Sequence, residues 1–166
     1  IRLREQRYRE AITDLSTCLD IIPIRSDFEF RAEAYEALGE HTLAAADRDA
    51  ARIALVRELL AKARRAWHDD RHREALAELN RVLEVDPRHV RALFRRAIVF
   101  WNLKLMNEAD RDLSRAIELA PDDRQGLGYL ALALVELGRL EEAREAADRG
   151  LARHPTDLNL AHAGMT

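Results

Sequence analysis

Residues 90–123 read VRALFRRAIVFWNLKLMNEADRDLSRAIELAPDD, and this stretch decides the fold. Leu93, Ala97 and Phe100 recur at three- and four-residue spacing, as one face of a helix requires. The pattern breaks at Lys104. A second stripe follows through Met106, Ala109, Leu113, Ala116 and Ile117. Pro121 then stops the helix, because proline lacks the N–H donor and disfavours helix in the residue before it. The stretch is therefore a helical hairpin. Small residues stand where its two arms cross, Ala97 in the first and Ala109 in the second. A larger side chain there overpacks the contact and costs about 1–3 kcal/mol.

The same unit recurs on both sides. Pro87, Pro121 and Pro155 are 34 residues apart. Ala75, Ala109 and Ala143 keep that step, as do Ala63, Ala97 and Ala131, then Leu83, Ile117 and Leu151, then Ala66, Phe100 and Leu134. Upstream, Tyr8, Ala11, Leu15, Cys18, Leu19 and Pro23 repeat the gaps of Met106, Ala109, Leu113, Ala116, Ile117 and Pro121. Ala32, Tyr35, Leu38, Gly39 and Ala44 repeat the gaps of Ala131, Leu134, Leu137, Gly138 and Ala143. Self-similarity at a fixed period marks a stacked-repeat architecture. The fold class that follows is all-α, an α-solenoid of antiparallel helix pairs.

With its 34-residue length, paired small residues, Leu38-Gly39 and Leu137-Gly138 turns and closing prolines, the chain resembles the tetratricopeptide repeat (TPR) family over roughly residues 6–157. The resemblance implies a right-handed superhelix whose first helices line a concave groove. It divides the chain as a single array: 1–23 the second helix of a truncated repeat, then repeats 25–55, 56–89, 90–123 and 124–157, with 158–166 opening a further or capping helix. Beginning inside a repeat reads as an excised piece of a longer array or larger protein.

One irregularity interrupts the period. From Ala44 to Ala75 is 31 residues, and no Gly or Pro lies between Glu40 and Asp86. The inter-repeat proline falls due near Val56 and is missing. Ile53, Val56, Leu60, Ala63 and Trp67 instead form an unbroken stripe at helical spacing. This predicts one fused helix over residues 42–68, about 39 Å long at 1.5 Å per residue. A tight turn without Gly or Pro is the alternative. With a fused helix, the array reads as two sub-arrays joined by a stiff rod.

Composition bounds the function. Hydrophobic residues at 48% and charged residues at 34% exclude a disordered chain. A net charge of −3 gives no global attraction to nucleic acid or anionic lipid, so nucleic-acid binding is not expected. The charge is uneven: −3 over residues 1–56, +4 over 57–96 and −4 over 97–166. The single cysteine, Cys18, excludes an intramolecular disulfide framework and fits a reducing compartment, so a cytoplasmic location is expected. It falls on the apolar stripe and reads as a small core residue. No stretch has the length and apolarity of a membrane span. Residue 1 is Ile, so the natural start is missing and a removed leader stays open.

By resemblance, first-helix positions face the groove. They are Arg57, Leu60, Arg64 and Trp67, then Arg91, Phe94, Ile98 and Trp101, then Gln125, Gly128, Leu132 and Val135, with Tyr129 beside them. Trp67 and Trp101 are one period apart, and the basic middle of the chain adds Arg95. Arginine with exposed aromatics is the composition of a binding hot spot, and guanidinium groups select carboxylates through paired hydrogen bonds. The expected partner-binding residues are Arg57, Arg64, Trp67, Arg91, Phe94, Arg95, Ile98, Trp101 and Tyr129. The expected partner is a protein or peptide, with an acidic or C-terminal segment. The alternative is that the tryptophans pack between helices and the arginines form a solvated face. Some family members hold a peptide C-terminus with a clamp of Lys, Asn and Arg; here Arg91 and Arg95 sit at two basic positions, while the Lys and Asn positions are unmatched.

No catalytic constellation stands out. Gly126 and Gly128 lie within a helical pattern, and Ser16, Ser26 and Ser114 lack a nucleophile turn. His68, Asp69, Asp70 and His72 carry metal-binding chemistry but span a turn, and His72 takes the packing column of Met106 and Leu140. Glu141-Glu142 and Asp122-Asp123 open helices, where carboxylates suit the dipole. The chain is expected to be non-enzymatic and without cofactor: a protein-interaction scaffold with a partner segment in the groove. A self-association module, or an accessory domain of a larger enzyme or secretion or assembly protein, is the alternative.

Overall fold

The structure is a computed structural model, which describes residues 2–120 and 124–153, less the side chains of residues 124–126, 129 and 153. Eight helices are described: α1 (Arg2–Ile21), α2 (Arg25–Ala37), α3 (His41–His68), α4 (His72–Val85), α5 (Val90–Asn102), α6 (Met106–Leu119), α7 (Arg124–Glu136) and α8 (Leu140–Arg153). The architecture is the all-α helical repeat that the period predicts. Pro121, Pro155 and residues 158–166 lie outside the described residues.

Helix α3 runs 28 residues without a break. The fused helix predicted over 42–68 is thus present, and no turn occurs at Val56. The reason is local: with no Gly or Pro, nothing between Glu40 and Asp86 withdraws a donor or favours a left-handed residue before Asp70.

The chain forms two compact units, Ile1–Glu58 and Leu59–Thr166, with α3 contributing residues to both. In the first unit, α1 packs on α2. Leu19 is the buried residue of α1, with Ala11, Ile12, Leu15 and Ser16 half-buried on the same stripe. Cys18 is exposed, against the expectation of a core residue. It stands one residue from Leu19, about 100° around the helix, and so leaves the covered side. Ala32, Ala34, Ala44 and Ala51 complete this small core.

In the second unit, α4 packs on α5, α5 on α6, α7 on α8, and α5 also on α7. Helix α5 therefore touches both its own second helix and the first helix of the next repeat. The alanine columns are buried as the period requires: Ala63, Ala75, Ala97, Ala109, Ala131 and Ala143 are all at 3% exposure or less. Leu59, Leu79, Val82, Val99 and Leu127 fill the space between them.

Four turns close the hairpins in one way. Gly39, Asp70, Lys104 and Gly138 each have a positive φ, between 56° and 77°. After each, a backbone N–H reaches back five residues: Glu40 to Tyr35, Arg71 to Ala66, Leu105 to Phe100 and Arg139 to Leu134, at 2.8–2.9 Å. This is the left-handed cap that satisfies the last carbonyls of a helix. Asp70 and Lys104 adopt it without being glycine.

Candidate functional site

The second unit carries a concavity lined by Ala63, Arg64 and Trp67 of α3, Leu79 of α4, Arg95, Ile98 and Val99 of α5, and Glu136 of α7. Its floor is apolar: Ala63, Leu79 and Val99 are buried at 3% exposure or less. Arg64 and Glu136 stand exposed at its rim, while Trp67, Arg95 and Ile98 are half-buried. It is small and open to solvent, with a cavity volume of about 50 Å³, which suits an anchoring side chain rather than a whole ligand.

Sequence places these residues in stages. The alanine and leucine columns fix which face of each helix turns inward, so Arg64, Trp67, Arg95 and Ile98 fall at the edge of that face. Trp67 lies at the end of α3, with its ring against His72 of α4, centroids 4.9 Å apart and tilted by 36°. Trp67 is thus both packed and part of the lining. His89 fixes the entry of α5 by accepting a hydrogen bond from the Ala92 N–H at 3.1 Å.

Four of the nine expected site residues come together here: Arg64, Trp67, Arg95 and Ile98. Phe94 does not. It is 2% exposed, on the core side of α5, because the helix turn that brings Arg95 outward turns its neighbour in. Arg91 is exposed and Trp101 half-buried, and neither lines the concavity. Arg57 is exposed and belongs to the first unit. The side chains of Tyr129 and Gln125 lie outside the described residues.

Glu136 is absent from the sequence-based set. It places a carboxylate among the arginines. A second omission is larger. Arg96 donates from Nε and Nη2 to the two carboxylate oxygens of Asp112, at 2.7 and 2.8 Å, and from Nη1 to the Asn80 side-chain oxygen at 2.9 Å. Its guanidinium also lies 5.6 Å from the Phe100 ring centre. One residue so ties α5 to α4 and α6. In the first unit Arg31 does the same to Asp47, at 2.8 and 2.7 Å, and to Ser16 Oγ at 2.9 Å, over the Tyr35 ring at 5.9 Å. The Asp47 hydrogen bond raises Arg31 above its ordinary pKa against a partial loss of solvation. The signal in the sequence is Arg and Asp sixteen residues apart, twice, each Asp between two buried alanines, Ala44 and Ala51 in one case and Ala109 and Ala116 in the other.

Among the described residues, no group of three or more His, Cys, Asp or Glu is placed to hold a metal ion. At the α3–α4 turn, Asp69 is held by Arg71 at 2.6 Å, and the His72 ring lies on Trp67. Among the described residues no helix is long and apolar enough to cross a membrane.

A tetratricopeptide repeat family model matches residues 60–110 and 107–157. No curated protein sequence matches the chain. Among similar solved structures is TTC0263, a thermophilic TPR protein of Thermus thermophilus, at 24% identity and TM-score 0.54, covering 100% of this chain and 97% of that one. YrrB, a TPR protein with an unusual peptide-binding site, is 15% identical with TM-score 0.51, covering 97% and 85%. The first TPR of Spaghetti (RPAP3), bound to an HSP90 peptide, is 21% identical with TM-score 0.52, covering 66% and 89%. These likenesses concern the fold, and with the matched repeats and the eight described helices they lead to one conclusion: the chain belongs to the tetratricopeptide repeat family.

Proposed function

We propose that this chain is a non-enzymatic protein-interaction module, and that the concavity of its second unit takes an anchoring side chain from an acidic partner segment. The observation that carries this is the meeting of Trp67, Arg64 and Arg95 over an apolar floor of Ala63, Leu79 and Val99. An apolar floor rewards burial of a ring or aliphatic side chain, and the arginines reward a carboxylate beside it. Aromatic and arginine residues around a small desolvated pocket are where binding energy concentrates. That two structural relatives are described with a bound peptide or a peptide-binding site supports the reading. The repeats at 56–89, 90–123 and 124–157 frame this surface, and an exposed single cysteine fits work in the reducing cytoplasm.

The test is fluorescence anisotropy with a labelled peptide carrying one Phe between glutamates, against the whole chain. Wild type binds, and binding weakens with salt because exposed charges contribute. Arg95→Glu weakens it about tenfold or more, a change of about 1.4 kcal/mol. Arg111→Glu, on α6 and outside the concavity, leaves it unchanged. Equal loss in both variants, or no binding by wild type, contradicts the reading.

A further inference from the structure

We propose that the partner segment is supplied by a second copy of this chain, whose helix α2 docks into the concavity. This rests on the reading of the concavity given above. Phe30 of α2 is 57% exposed. Glu29 and Glu33 are exposed beside it. Residues three and four apart share a helix face, so Glu33 stands beside both Phe30 and Glu29 in one stripe, with the ring to one side of the two carboxylates. Glu29 is bonded to Arg25 at 2.7 Å, an exposed pair that gives way at little cost.

The stripe and the concavity are opposite versions of the same repeat positions. Superposing Arg31–Asp47 on Arg96–Asp112 sets Phe30 on Arg95 and Glu33 on Ile98. Where the second unit offers arginine over an apolar floor, the first offers a ring beside acid. The charge follows: −3 over residues 1–56 and +4 over 57–96. In the docked pair, Phe30 enters against Ile98, Val99 and Trp67, while Glu29 and Glu33 meet Arg64 and Arg95. Glu136 repels the stripe at its own rim and leaves the arginine side as the docking edge. The two faces differ, so the contact is heterologous and each copy can give and receive at once. Assembly then either grows with concentration or closes into a small ring.

Sedimentation velocity of the whole chain over a concentration series tests this, with wild type, Arg95→Glu, Glu33→Arg, Phe30→Ala and the combined charge swap. Wild type associates, and more weakly at high salt. Each single variant weakens association about tenfold or more, and Glu33→Arg with Arg95→Glu recovers it, which a merely unfolded variant does not do. A wild type that stays monomeric throughout, association indifferent to these changes, or a swap that recovers nothing overturns the proposal. The same samples receive the labelled acidic peptide: a monomer that binds it removes only the second copy as occupant, while a monomer that binds none removes the concavity reading too.

Discussion

Arg96 and Asp112 face each other with two parallel hydrogen bonds, of 2.7 and 2.8 Å, and Asp112 is only 6% exposed. One period later the corresponding positions are Leu130 and Ala146, both buried and apolar. The fold accepts either solution. What it does not accept is half of one. Asp112→Ala alone leaves a desolvated guanidinium and costs about 3–5 kcal/mol. Arg96→Leu with Asp112→Ala copies the next repeat and is close to neutral. Urea denaturation of both variants checks this. A double variant as unstable as the single one contradicts it.

The hairpin turns give a second prediction. Lys104 has φ 63°, a left-handed conformation that costs a side-chain-bearing residue about 1–2 kcal/mol. Lys104→Gly therefore stabilises the second unit by about 1 kcal/mol, and Asp70→Gly by less, since Asp tolerates this region. Gly39→Ala destabilises by about 1 kcal/mol, through backbone strain alone, because nothing lies within 4 Å of the added carbon. Midpoints of chemical unfolding read all three.

Helix α3 makes a third. Val56 stands where the period expects proline, yet the helix continues through it. Val56→Pro removes a hydrogen bond in a helix interior and costs about 3 kcal/mol or more. In an array with a turn at this position the same change is harmless. Circular dichroism and urea melts of the variant separate the two.

Acid supplies a fourth. Hydrogen bonds from His41 and Arg48 hold the Glu36 carboxyl below its ordinary pKa, and the Arg139 guanidinium does the same to Glu142. A carboxyl with a lowered folded pKa adds stability above its unfolded pKa and loses it as pH falls through the folded one. Stability therefore drops below about pH 4.3, the ordinary glutamate value. Glu36→Gln and Glu142→Gln flatten that drop, and both carboxylates are exposed, so the change is modest. An unchanged pH profile in the double variant contradicts the assignment.

Much of this fold is legible in the sequence. The 34-residue columns mark the helix pairs, the buried alanines and the fused helix, because apolar periodicity and proline placement act locally. Cys18 reads as core because position along an apolar stripe does not say which side a neighbour covers. Phe94 reads as a groove residue for the same reason: a family's groove positions fix a helix face to within a residue, and one residue turns a side chain by about 100°. The Arg96–Asp112 clamp escapes a linear reading because two charges sixteen residues apart look like solvated surface until the hairpin closes them together. Glu136 reaches the concavity from the following repeat, a contact that no local pattern reports.

Nitrogen–proton chemical-shift mapping of the whole chain with the acidic Phe-bearing peptide tests most directly whether the concavity binds a partner segment. The Trp67 indole N–H, the Arg64 and Arg95 side-chain N–H groups and the α5 amides near Ile98 are expected to shift first and most. Shifts confined to the exposed faces of α4 and α6, or none at saturating peptide, would contradict binding there.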